Sequence, residues 1–280
     1  MTDPKNITWN LPNRVILPLE FHKETPFLAV EINGESCQMV LDTGAPDVYL
    51  NHDRIPSSVQ ISDITASGSG ASGSFTVHQA TLDTLQLGPI AYGPIECHSA
   101  DYTHLEKGYG AELAGLIGFK QLIYYTWMVD WPRKELHLYA DFRPEEHQID
   151  QVISSPYANH LPCFPCQIGD RTYQLLLDTG ASTILLDQNL KEEIASFLAD
   201  LESTDFQGAG STVIQVDQGK LTKFTVGNRS FADSKITFSD LSGLQKKIGH
   251  FDGIIGADLL SKARVAVSWE KGSMYFLKDN

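Results

Sequence analysis

The pentapeptide LDTGA occurs twice, at Leu41–Ala45 and Leu177–Ala181, and no other feature constrains the fold as tightly. At average residue usage, a given string of this length turns up in about one in a thousand chains of this size. Its recurrence therefore asks whether the surrounding sequence repeats as well. It does. FLAVEINGESCQMVLDTGA, from Phe27 to Ala45, aligns with CFPCQIGDRTYQLLLDTGA, from Cys163 to Ala181, at an offset of 136. Further on, Gly115-Leu116-Ile117-Gly118 aligns with Gly253-Ile254-Ile255-Gly256, and Trp131 with Trp269, both at an offset of 138. Gly70-Ala71-Ser72-Gly73 falls opposite Gly208-Ala209-Gly210-Ser211. The chain of 280 residues thus reads as two related halves, residues 1–145 and 146–280, each long enough to bury its own core.

Each half reads as mostly β. Short runs of Val, Ile, Leu, Tyr and Phe are broken by Gly, Pro, Asn and Ser. Asn33-Gly34 and Gly169-Asp170 lie between apolar runs and predict tight hairpin turns, the second strand of each hairpin leading into DTG. FKQLIYY and ADLLSKA, after the two Gly-apolar-apolar-Gly motifs, carry short helical character. The clearest helix is predicted over Gln188–Glu202, where Leu190, Ile194, Phe197, Leu198 and Leu201 recur at helical spacing. The polar, unpatterned stretch Asp141–Asp150 reads as a linker between the halves.

A lone loop aspartate does little chemistry, but two brought within about 3 Å cannot both ionise cheaply and share one proton. Such a pair holds a base and an acid at once: the ionised oxygen takes a proton from water while the protonated partner donates to a carbonyl. Amide hydrolysis then needs no metal and no covalent intermediate. Asp42 and Asp178 are the candidate pair. Gly44 and Gly180 leave room for a sharp turn, and the Thr43 and Thr179 hydroxyls are placed to bridge the two loops.

These motifs resemble those of the aspartic proteases, the clan of pepsin and retropepsin, over nearly the whole chain. Two DTGA loops, each followed by apolar-apolar-Gly, are most similar to a bacterial retropepsin-like protease with two fused lobes. The resemblance implies an all-β, bilobal acid-protease fold with the active site between pseudo-symmetric lobes. It implies an aspartic endopeptidase that binds an extended polypeptide, needs no cofactor, and works as a monomer with an internal pseudo-two-fold. It also implies flaps over the cleft, one from each half: Gly68, Gly70, Ala71 and Gly73 in the first, Gly208, Ala209 and Gly210 in the second. Glycine density agrees, since it lets backbone approach a substrate closely. Ala45 and Ala181 after DTG follow the retroviral pattern, and no tyrosine lies near either flap tip in the sequence. The retroviral Asp after DTGA and the Arg after the second Gly are absent together, replaced by Pro46 and Ser182, then Phe119 and Ala257.

Other features exclude classes or support competing readings. The net charge of −14 argues against a nucleic-acid partner. No apolar run is long enough for a membrane span. MTDPKNITWNLPN has no apolar h-region, so no secretory signal is read; the default expectation is cytoplasmic, with export the alternative if a signal was trimmed. No histidine spacing fits a metal site, so no metal is expected. Cys163-Phe-Pro-Cys166 reads either as two small residues on a strand or as a redox or metal motif. Asn6 and Asn228 match the glycosylation pattern, which short strings often do by chance. A scaffold that binds peptide without cleaving it is the alternative to the protease.

Overall fold

The hairpins that lead into DTG set the frame. In the computed structural model, which describes residues 13–154, 157–158 and 161–278, strand Thr25–Ile32 pairs antiparallel with Glu35–Leu41. Asn33 and Gly34 turn the chain with φ of 49° and 85°, the two positive values that a type I′ turn requires. The Asn33 carboxamide oxygen also accepts from the Asp83 and Thr84 amides, at 2.9 and 3.0 Å. The second half repeats the hairpin with Leu161–Ile168 and Arg171–Leu177, turned at Gly169.

Each DTG loop then receives the same two neighbours. Gly115–Ile117 runs parallel to Glu35–Leu41 and antiparallel to Tyr49–Asn51. Gly253–Ile255 does the same with Arg171–Leu177 and Ile184–Asp187. The Asp42 amide bonds to the Ile117 carbonyl and that of Asp178 to Ile255, both at 2.9 Å, so each aspartate begins where a buried strand ends. Gly118 and Gly256 are needed for this crossing. A Cβ on Gly118 would lie 2.3 Å from the Asp47 carbonyl oxygen, and one on Gly256 2.2 Å from that of Ala181.

The strands form sheets of fifteen and eight members. The larger sheet takes strands from both halves: Ile149–Ser154, Ser273–Leu277 and Val265–Ser268 continue into Thr126–Asp130, Glu135–Tyr139 and Arg14–His22. At the junction Met128 pairs with Ala266, its own counterpart in the repeat, and Trp127 and Thr126 follow in step against Val267 and Ser268. A residue can face its counterpart in antiparallel pairing only where the halves are related by a two-fold. Beneath this junction Trp269 stacks on Phe119, with centroids 5.7 Å apart, and packs on Trp127 at 5.6 Å. The all-β, two-lobed expectation holds.

Two local expectations fail. Gln188–Glu202 is not one helix: Gln188–Leu190 and Ala195–Phe197 are single 3₁₀ turns, and the chain is extended from Leu198 to Phe206. Its apolar residues do not share a face, since Ile194 is buried while Leu201 is 42% exposed. Ladder hydrogen bonds to Ile214–Val226 outweigh the weak preference for helix. Asp141–Asp150 is not a free linker either. Phe142 is buried against Tyr139, His147 and Tyr275, and Ile149 already pairs with Leu277. Cys163 and Cys166 lie on one strand three residues apart, so their side chains point to opposite faces. Asn6 lies outside the described residues.

Candidate active site

The two DTG turns meet. Asp42 and Asp178 are hydrogen-bonded to each other, half-buried at the floor of a cleft. Each carboxylate is held by its own turn: Asp42 Oδ1 accepts from the Gly44 and Ala45 amides at 3.1 Å, and Asp178 Oδ1 from Gly180 at 2.7 Å. The glycines answer a stricter demand than turning. A Cβ on Gly44 would lie 2.4 Å from the Asp178 carboxyl, and one on Gly180 2.7 Å from that of Asp42. Each glycine makes room for the other half's aspartate.

Below the pair, Thr43 and Thr179 are fully buried and exchange bonds across the halves. The Thr43 amide donates to Thr179 Oγ1 at 3.1 Å, and the Thr179 amide to Thr43 Oγ1 at 3.0 Å. Their hydroxyls donate onward to the Leu177 carbonyl at 3.3 Å and the Leu41 carbonyl at 2.5 Å. Four bonds thus fix the two turns in register.

Burial is the first cause that pushes both carboxyls above the ordinary carboxylate range. For Asp42 the charge of Asp178 and the bond between them add to it, while the Gly44 and Ala45 amides pull the other way. The pair therefore holds a shared proton above the pH at which a solvated carboxyl loses its own.

The glycine-rich segments of both halves reach the cleft. Gly70, Ala71, Gly208 and Ala209 line it, whereas Gly68, Gly73 and Gly210 do not. The tips interlock: Ser72 Oγ donates to the carbonyl of Gly210, its repeat counterpart, at 3.3 Å, and Ser239 Oγ donates to Ala71 at 2.8 Å. Each tip is also held by the other half. His104 Nε2 lies 3.1 Å from the Gly208 carbonyl, and Lys247 Nζ donates to Ser67 at 3.1 Å.

Sequence reasoning missed the side walls. Two seven-residue helices, Thr103–Tyr109 and Ser242–Ile248, stand at matching places in the repeat and contribute Leu105 and Tyr109 from one, Leu244 and Ile248 from the other. They are too short for periodicity to reveal. Tyr49 and Tyr102 join the first wall, and Tyr102 packs edge-on against Phe75 of the glycine-rich hairpin, so an aromatic group does stand near a tip, brought there by folding. The missing retroviral ion pair has a substitute one residue later on both sides: Lys120 Nζ meets Asp47 Oδ1 at 2.6 Å. In the other half Thr183 stands where Asp47 does, its hydroxyl 3.3 Å from that of Thr237, while Asp258, at the place of Lys120, pairs with Lys262 at 2.8 Å.

A sequence model described as aspartyl protease matches residues 28–120 and again 164–259. Among curated proteins no significant match is found. The two matches each contain one DTG turn and one Gly-apolar-apolar-Gly strand, and together they cover most of the sequence, so the chain belongs to the aspartyl protease family.

Proposed function

We propose that the protein is an aspartic endopeptidase that hydrolyses a peptide bond with a water activated between Asp42 and Asp178. The observation that carries this reading is the hydrogen-bonded carboxyl pair, raised by burial, at the floor of a cleft between two lobes. The ionised oxygen takes a proton from the water as it attacks the scissile carbonyl carbon. The protonated partner donates to the carbonyl oxygen, and collapse of the tetrahedral adduct passes a proton to the leaving amide nitrogen. Thr43 and Thr179 hold the two turns in register so that the carboxyls share that proton; Gly44 and Gly180 let them approach.

The glycine-rich tips act as flaps, one from each half. The cleft they close holds about 350 Å³, the size of a small-ligand pocket, so an extended polypeptide enters only when the tips part. Backbone groups of Gly70, Ala71, Gly208 and Ala209 are then available to pair with the substrate strand.

The test is a peptide-library digest read by mass spectrometry across pH 3–8, with Asp42→Asn and Asp178→Asn as controls. Each variant should lose at least a hundredfold in rate, the low end of what acid–base catalysis supplies, while its circular dichroism stays native. Retained turnover in either variant refutes the mechanism. Peptide binding without cleavage by the unmodified protein would instead establish a non-catalytic binding module.

A further inference from the structure

The cleft is charged in one place besides its carboxyl pair. Among the described residues that line it, Lys23 is the only cation, and it sits at the rim on the turn between strands Arg14–His22 and Thr25–Ile32. Two residues on, Thr25 also lines the cleft; it is 1% exposed, and its hydroxyl has no hydrogen-bond partner. Buried hydroxyls are normally satisfied, so an orphan donor on a residue that lines a binding cleft points to a group that a ligand brings.

The turn is also held in an uncommon shape. Lys23 and Glu24 have φ of 48° and 72°, the left-handed region, in a two-residue loop closed by the His22–Thr25 pair. Such loops favour Gly, Asn or Asp, and a non-glycine pair held there is the kind of strain that clusters at functional sites. The matching positions of the repeat are Asn159 and Leu161, so the second half carries no cation and no hydroxyl there.

We infer that Lys23 and Thr25 form a recognition point for a carboxylate of the substrate polypeptide. The inference rests on the protease reading above. An ammonium and a hydroxyl both donate, so the complementary group accepts at both and carries negative charge. Because only one half has this point, the carboxylate lies to one fixed side of the scissile bond and sets the direction in which the polypeptide is threaded. Its source is either an Asp or Glu side chain or the chain's own C-terminus.

The experiment compares matched peptides that share a cleavable core and differ only in flanking Glu against Gln, each with a free or amidated C-terminus. The unmodified protein should cleave carboxylate-bearing peptides roughly fivefold to tenfold faster, less so at high salt. Lys23→Met should bring that ratio near one, Lys23→Glu should invert it, and Thr25→Val should lower it. If only the amidation arm moves, the C-terminus is the ligand; if only the Glu arm moves, it is the side chain. A ratio unchanged in Lys23→Glu overturns the inference while leaving the protease intact. If the unmodified protein cleaves no peptide, the catalytic reading fails; anisotropy of the same labelled peptides on Asp178→Asn then reads the carboxylate preference by itself, and equal affinity for Glu and Gln peptides overturns it.

Discussion

The floor of the cleft and its walls follow different rules, although both descend from one repeat. On the floor, each residue meets its counterpart: Asp42 meets Asp178, and Thr43 trades bonds with Thr179. Along the walls the halves have parted. The first half presents Tyr49, Tyr102 and Tyr109 with Lys23 at the rim, and the second presents Leu176, Leu185, Leu244 and Ile254. The floor has to bring two carboxyls together from two loops, so each half supplies the same turn. The walls each face a different stretch of substrate, so nothing in the chemistry keeps them alike.

This contrast can be attacked at its strongest point first. Gly44→Ala and Gly180→Ala each drive a methyl group into the opposite carboxyl, and misplacing a reacting group by about 1 Å costs on the order of a hundredfold in rate. Comparable loss in steady-state assays of both variants is the expected result. Activity surviving in one alone would break the equivalence of the floor. Thr43→Val and Thr179→Val come next. Each strands a buried amide of the other half, costing about 1–3 kcal/mol in denaturant titrations, by similar amounts for the two.

A subtler effect concerns pH. Both aspartates are raised above the ordinary carboxylate range, so the folded protein binds their proton more tightly than the unfolded chain does. Their stabilising contribution is fully present below the unfolded value of about 3.9 and is lost as pH rises through the folded one. Asp42→Asn, which carries no charge at either pH, should therefore melt at a higher temperature than the unmodified protein near pH 7, the difference closing toward pH 4. A gap that widens on acidification would reverse the sign. The smallest effect belongs to the walls. Asp47→Asn removes a partly buried ion pair but leaves a carboxamide that Lys120 can still reach, and should cost about 1 kcal/mol or less in a thermal melt. A cost equal to that of Thr43→Val would mean the walls are as tightly constrained as the floor.

What the sequence discloses divides along the same line. Asp42 and Asp178, the hairpin turn at Asn33-Gly34 and the glycine of each crossing are legible because backbone geometry admits few residue types there. Tyr102, Leu105 and Leu244 are not, because short helices without a buried stripe leave no period to read. Gln188–Glu202 shows the opposite failure: its apolar spacing looks helical, but a long neighbouring strand recruits its C-terminal part. The Asp47–Lys120 pair escapes a motif search because both partners have moved by one position.

The continuous chain through Phe142 and Ile149 has a genetic consequence. In an assembly of two identical subunits, every substitution is made twice, once on each side of the axis. Here the packed segment carries one half into the other, so a codon change alters one side only. Contacts on the axis, such as Met128 with Ala266 and Ser72 with Gly210, still tie the two copies together. Positions off the axis are released from that obligation, and a Lys at position 23 where the repeat has Asn at 159 is what such release produces. Tethering also keeps the two halves together on dilution, at an effective local concentration of about millimolar or above.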